Sequence, residues 1–240
     1  MELIVVGITA FLTAIISALA GLGGGIILLA VIAQFHAPTV AIPIHGWTQL
    51  VSNGYRSFLL RSDINWGAVA HGSILIVPAA LAGVAVASSL PDDAIRLAMA
   101  GFILVATWRP SLMGWERPGR TNRSLVPIGA VSGFLSATVG ASGPVVSPFY
   151  RSVTVSHQAF VATAGTTQIL SHLAKVVGFG LGGFEFREHV DFIAVAVVGV
   201  LIGTWVGTRL LHRANEQMLA VLFRVTLTVL AVRLIFISIW

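Results

Sequence analysis

The stretch "SALAGLGGGIILLA", residues 17–30, decides how this chain is read. Gly21, Gly23, Gly24 and Gly25 place four glycines in five positions of an otherwise apolar run. Each glycine in a helix interior costs about 1 kcal/mol against alanine. A glycine cluster standing alone fits close helix packing, and Gly21 and Gly25 have the small-xxx-small spacing. A cluster that recurs with the rest of its surroundings asks for a different explanation.

It does recur. At an offset of 119 residues, "SALAGLGGG" (17–25) lies over "SATVGASGP" (136–144), and "GWTQLVSNGYR" (46–56) lies over "GTTQILSHLAK" (165–175). The shared pattern rests on Gly, Thr, Gln, Ser and a basic residue, not on the Leu, Val and Ala that align by chance in apolar chains. Duplicated halves with Gly- or Pro-interrupted segments at matching positions are a signature of secondary transporters.

Composition sets the environment. The 240 residues are 56% hydrophobic and 10% charged, with mean hydropathy +0.93. A soluble domain carries about 25% charged residues, so the chain reads as an integral membrane protein. The net charge of +5 fits arginines in loops and does not call for nucleic acid. There is no cysteine, which removes disulfides, thiol catalysis and thiolate metal sites. Ala18-Leu19-Ala20 has the form of a signal cleavage site, but "MEL" supplies no basic n-region, and the internal copy also argues against cleavage.

Apolar segments lie near 3–33, 40–60, 66–89, 94–109, 124–150, 157–180, 190–210 and 216–238. The expected fold is all-α: a polytopic membrane helix bundle of two homologous four-segment repeats, with broken or re-entrant helices at the Gly-rich motifs. The first repeat is 1–110, a cytoplasmic linker follows at 111–123, and the second repeat is 124–240. If all eight segments cross, Arg56, Arg61, Arg109, Arg117, Arg120, Arg123, Lys175 and Arg187 share one side. Arg96, Arg151, Arg209 and Arg213 share the other. The positive-inside rule then puts both termini in the cytoplasm of a multi-pass plasma-membrane protein. If one broken segment re-enters instead, the two halves become inverted.

A helix restarting after each break presents free N–H groups and about half a positive charge. Pro144 suits the first turn of such a helix. Two of these N-termini facing one pocket make an anion site. The expected ligands are Gly23, Gly24, Gly25, Ser142 and Gly143, with Thr48, Gln49, Thr167 and Gln168 completing the shell. The bland reading of the Thr-Gln pairs is interhelical hydrogen bonding, worth about 0.6 kcal/mol each. All nine acidic residues fall at ends or in loops, which disfavours a cation substrate, since cation carriers keep carboxylates within the membrane. Arg56 and Lys175, two turns beyond the glutamines, read as snorkelling interfacial anchors or as cations drawing anions to the inner mouth. His45 and His172 are structural histidines or proton carriers. Arg224 is an intramembrane arginine and a functional candidate on that ground. No cofactor, metal or catalytic residue is expected.

The glycine break, the Thr-Gln segment with its basic end and the duplicated halves resemble the sulfite exporter TauE/SafE family, also called the toluene sulfonate uptake permease family. The resemblance covers nearly the whole chain. Ser142 and Pro144 depart from the pure glycine run of the first copy. The resemblance implies a carrier for sulfite, sulfonates or related sulfur anions within the lipid bilayer, working by alternating access around a mid-membrane site. An anion channel is the alternative. "GASG" (140–143) also matches the G-x-S-G of rhomboid intramembrane proteases, with Ser142 as nucleophile and His172 as base. Gly23 at the matching place of the first copy counts against that enzyme reading.

Overall fold

The computed structural model describes residues 1–21, 23–109, 121–211 and 216–239. Among these residues the chain is all-helical, with no strand. In order, the helices are α1 (Glu2–Ala20), α2 (Gly24–Ile32), α3 (Pro38–Leu59), α4 (Trp66–Ser73), α5 (Ile76–Ser89), α6 (Asp92–Trp108), α7 (Leu125–Thr138), α8 (Gly143–Arg151), α9 (His157–Leu181), α10 (Val190–Leu210) and α11 (Glu216–Ile239). Most of the expected linker, 111–120, lies outside the described residues. Its end, Asn122–Ser124, is a short 3-10 turn leading into α7.

Local chemistry explains the boundaries. Pro38 begins α3. Asn65 caps α4 by accepting from Ala68 N–H at 3.1 Å, and Ser156 caps α9 by accepting from Ala159 N–H at 3.0 Å. Asp92 and Asp93 stand in the first turn of α6, where carboxylates complement the helix dipole. Gly21 ends α1 with φ +99°, and Gly140 follows α7 with φ +81°. Both occupy the left-handed region that glycine enters without penalty.

Two helices, Glu2–Ala20 and Phe186–Leu210 counted with its leading turn, are long and apolar enough to cross a membrane alone. A third span is possible if α4 and α5, bent by 44°, act as one. The segments expected at 3–33 and 124–150 are each a helix pair interrupted at its glycines, α1–α2 and α7–α8. Helices α3 and α9 fall short of the hydropathy test for a physical reason. They carry a buried polar stripe: His45, Thr48, Gln49, Ser52, Asn53 and Arg56 on α3, and Thr167, Gln168, Ser171, His172 and Lys175 on α9. Apolar side chains also face outward, as along α11, where Val221, Val225, Val229, Val232 and Phe236 are exposed. Such an outer surface suits lipid contact.

Helices distant in sequence interlock. The α1–α10 pair runs parallel and close: Gly203 lies against Phe11 and Ala14, and Gly207 against Ile15 and Ala18. The α5–α7 pair is built the same way, with Gly133 against Ile76 and Ala80, and Gly83 against Phe134 and Ala137. Glycine at these contacts lets backbones approach, which drives packing where lipid removes the hydrophobic incentive. Helices α3 and α9 cross antiparallel through the middle, Gly46 beside Lys175 and Gly165 beside Arg56.

Candidate functional site

Four parts of the fold converge on one cavity: the start of α2, the turn and first residue of α8 at Gly140–Gly143, and the polar faces of α3 and α9. Its wall includes Gly25, His45, Gln49, Asn53, Arg56, Ser142, Gly143, Gln168 and His172, together with Ser17 of α1. The cavity measures about 30 Å³, the space of one or two waters.

The α8 side is organised by a hydroxyl–amide cluster. Ser142 Oγ and Ser132 Oγ are 3.0 Å apart, and Gln168 Nε2 donates to both, at 3.0 and 3.2 Å. Gln168 Oε1 keeps no partner. On the α2 side, Gln49 packs against Gly25, where an added Cβ would stand 3.0 Å from its Cδ.

The cations are the main departure from expectation. Arg56 and Lys175 are 2% and 0% exposed, so neither snorkels. Each is admitted by a glycine of the opposite helix: a Cβ at Gly165 would come within 3.2 Å of Arg56 Nε, and one at Gly46 within 3.0 Å of Lys175 Cε. Arg56 Nη2 donates to Asn53 Oδ1, while its Nε and Nη1 have no partner. Lys175 Nζ lies 3.5 Å from His45 Nδ1 and donates to the Gly140 carbonyl at 3.4 Å. None of the acidic residues whose exposure is described is buried, so among the described residues no carboxylate balances these groups. A guanidinium keeps its charge, and a buried charge without a counter-ion is strongly unfavourable.

Some expected ligands stand off the wall. Thr48 donates to the His45 carbonyl and Thr167 to the Thr163 carbonyl, each within its own helix. Gly24 faces the α1 backbone at Thr13 and Ser17, where a side chain would overlap. Gly23, just before α2, does not line the cavity. Arg224 is exposed on α11 with its guanidinium 5.4 Å from the Trp108 ring. Ser142 is bonded to Ser132 and Gln168 rather than to His172. Ser132 had no signal in the sequence, being a lone serine in an apolar helix. Among the described residues no three His, Cys, Asp or Glu side chains gather into a metal cluster.

A helical chain with an apolar exterior and a buried cationic, hydroxyl-lined cavity has the build of a membrane transport protein. The family model described as Sulfite exporter TauE/SafE matches residues 6–234, and the chain belongs to that family. No curated protein and no solved structure matches it.

Proposed function

We propose that this protein is a carrier for a small sulfur oxyanion, of which sulfite is the first candidate, working by alternating access. The observation that carries the reading is Arg56: buried, facing the cavity, with its Nε and Nη1 unpartnered and no buried acid near it among the described residues. Gln49, Asn53, Ser142 and Gln168 supply neutral groups around it, and the backbone at Gly25 and Gly143 adds two helix N-termini. The small cavity favours an inorganic oxyanion over a bulky sulfonate. A binding screen of purified protein against sulfite, sulfate, thiosulfate, taurine and sulfoacetate tests this. Sulfite should bind and taurine, which carries its own ammonium, should not. Absence of binding by every oxyanion would refute the reading.

The proposal extends to topology. The halves are read as inverted repeats, each holding a re-entrant hairpin, α1–α2 and α7–α8, whose tips meet at the cavity. Contacts support this. His36, after α2, touches His189 and Phe192 at the start of α10, and Thr39 bonds Asp92 at the start of α6. Helix α1 runs parallel to α10, so Glu2 shares that side. On the opposite side Asn65 Nδ2 donates to the Val153 carbonyl after α8, Gln158 bonds Asp63, and Asn122 adjoins Gly67. Six helices or helix pairs then cross: α3, α4–α5, α6, α9, α10 and α11. The halves, 1–110 and 124–240, would be repeats in sequence but interlocked in space.

This arrangement re-sorts the arginines. Among the described residues Arg61, Arg109, Arg123, Arg151 and Arg209 fall on the Asn65 side, against Arg96, Arg187 and Arg233 on the other. Arg209 no longer dissents. The Asn65 side therefore faces the cytoplasm of the plasma membrane, and both termini face outward, the reverse of the orientation drawn from eight crossings.

A further inference from the structure

We infer that His45, His172 and Lys175 form a proton-carrying element that couples anion movement to protons; this rests on the anion-carrier reading above. Proton-coupled carriers ordinarily hold a carboxylate at membrane depth, and no such carboxylate is found among the described residues. What stands in the equivalent place is a buried basic cluster. The His45 and His172 rings meet edge-on with centroids 5.8 Å apart, both lining the cavity. Lys175 Nζ reaches His45 Nδ1. Which of Lys175 Nζ and His45 Nδ1 donates depends on the histidine tautomer; His172 Nδ1 is buried without a hydrogen-bond partner.

The groups facing this cluster fix the sign of the coupling. From α3 comes Arg56 besides His45, and from α9 come Lys175 and His172. The cavity-lining residues of α1, α2 and the Gly140–Gly143 turn bring only serine, glycine, alanine and isoleucine. With the cavity empty, a further positive charge beside Arg56 has nothing to balance it. An entering oxyanion supplies that balance. One proton then passes from water to an imidazole nitrogen, or to a neutral Lys175 amine, as the anion binds. It leaves with the anion when the site opens to the other side. No bond other than N–H is made or broken. Histidine is suited to this exchange because its ordinary titration lies near neutral pH.

The experiment uses the full chain in sealed proteoliposomes, with labelled sulfite and, in parallel, labelled sulfate, and a pH dye inside. Sulfite carries a proton of its own near neutral pH, so the readout is the number of protons moved per anion in wild type and in the His45→Asn, His172→Asn double variant, at whatever rate each sustains. The ratio should be higher in wild type and fall in the variant. An unchanged ratio, with the proton borne by sulfite alone, would overturn the inference. So would net sulfate uptake without proton movement. If the variant does not fold, calorimetry of sulfite binding to wild type decides, in two alkaline buffers of different ionisation enthalpy. Net proton uptake on binding is expected, and no uptake overturns the inference. Failure of wild type to exchange either anion would instead refute the carrier reading itself, so the two failures are distinct.

Discussion

At the residue scale, the site depends on two exchanges between helices. Gly165 of α9 makes room for Arg56 of α3, and Gly46 of α3 makes room for Lys175 of α9. Both pairs belong to one repeated pattern, G-x-T-Q-[LI]-x-S-x-x-x-[RK], which explains why glycine and the basic residue travel together. Replacing Gly165 by valine should displace the guanidinium. Hydrogen bonds to charged groups are worth about 1.5–3 kcal/mol, so sulfite affinity should fall about 10- to 100-fold, read by calorimetry. Unchanged affinity in Gly165→Val would show that Arg56 does not hold the anion. Gln49, Gln168 and both basic residues were legible because polar groups stand out in an apolar run. Their burial was not: a cation two turns past a glutamine looks the same whether it reaches an interface or a partner helix. Only the antiparallel α3–α9 crossing decides. Thr48 and Thr167 carry hydrogen bonds within their own helices, since a hydroxyl in a membrane helix satisfies itself on the preceding turn.

At the element scale, three of the four glycines have distinct tasks. Gly21 and its counterpart Gly140 set the left-handed turn after α1 and α7. Gly24 lets α2 lie against α1, and Gly25 opens the cavity to Gln49. The sequence located the breaks and the helix restarts at Gly24 and Gly143, because glycine and proline at matching places announce them. It could not separate a turn glycine from a packing glycine, since that depends on Phe160 and Thr13, which are remote in the pattern. Alanine at Gly21 meets a penalty of about 1–2 kcal/mol from the left-handed backbone and contact with the Phe160 ring. Gly21→Ala should lower the unfolding temperature in detergent. Alanine at Gly183, whose φ is +93° with open space around it, should lower it less. Equal effects would show that the Phe160 contact is immaterial. Gly203→Leu meets the Phe11 backbone and should loosen α1 from α10, seen as faster proteolysis of the α10–α11 connection.

At the scale of the whole molecule, hydropathy and composition identified the membrane class, but they could not count crossings. Helices α3 and α9 bury their polar stripes and so look too polar, while α1–α2 looks like one overlong span. The interlocked packing of α1 with α10 and α5 with α7 is what supports six crossings and outward termini. The chain has no cysteine, so single replacements can be labelled without background. A membrane-impermeant thiol reagent on intact cells should label Glu2→Cys and Ala37→Cys, and should reach Ser62→Cys only after the membrane is opened. The opposite pattern would reverse the orientation, and Glu2 on the side opposite Ala37 would rule out the hairpin. The central claim, that a buried arginine without an acid holds a sulfur oxyanion, is tested most directly by sulfite counterflow in proteoliposomes, comparing wild type with Arg56→Gln. Wild type should accumulate labelled sulfite against internal unlabelled sulfite, and the variant should lose that accumulation while keeping its unfolding temperature within a few degrees. Counterflow in Arg56→Gln equal to wild type would contradict the account.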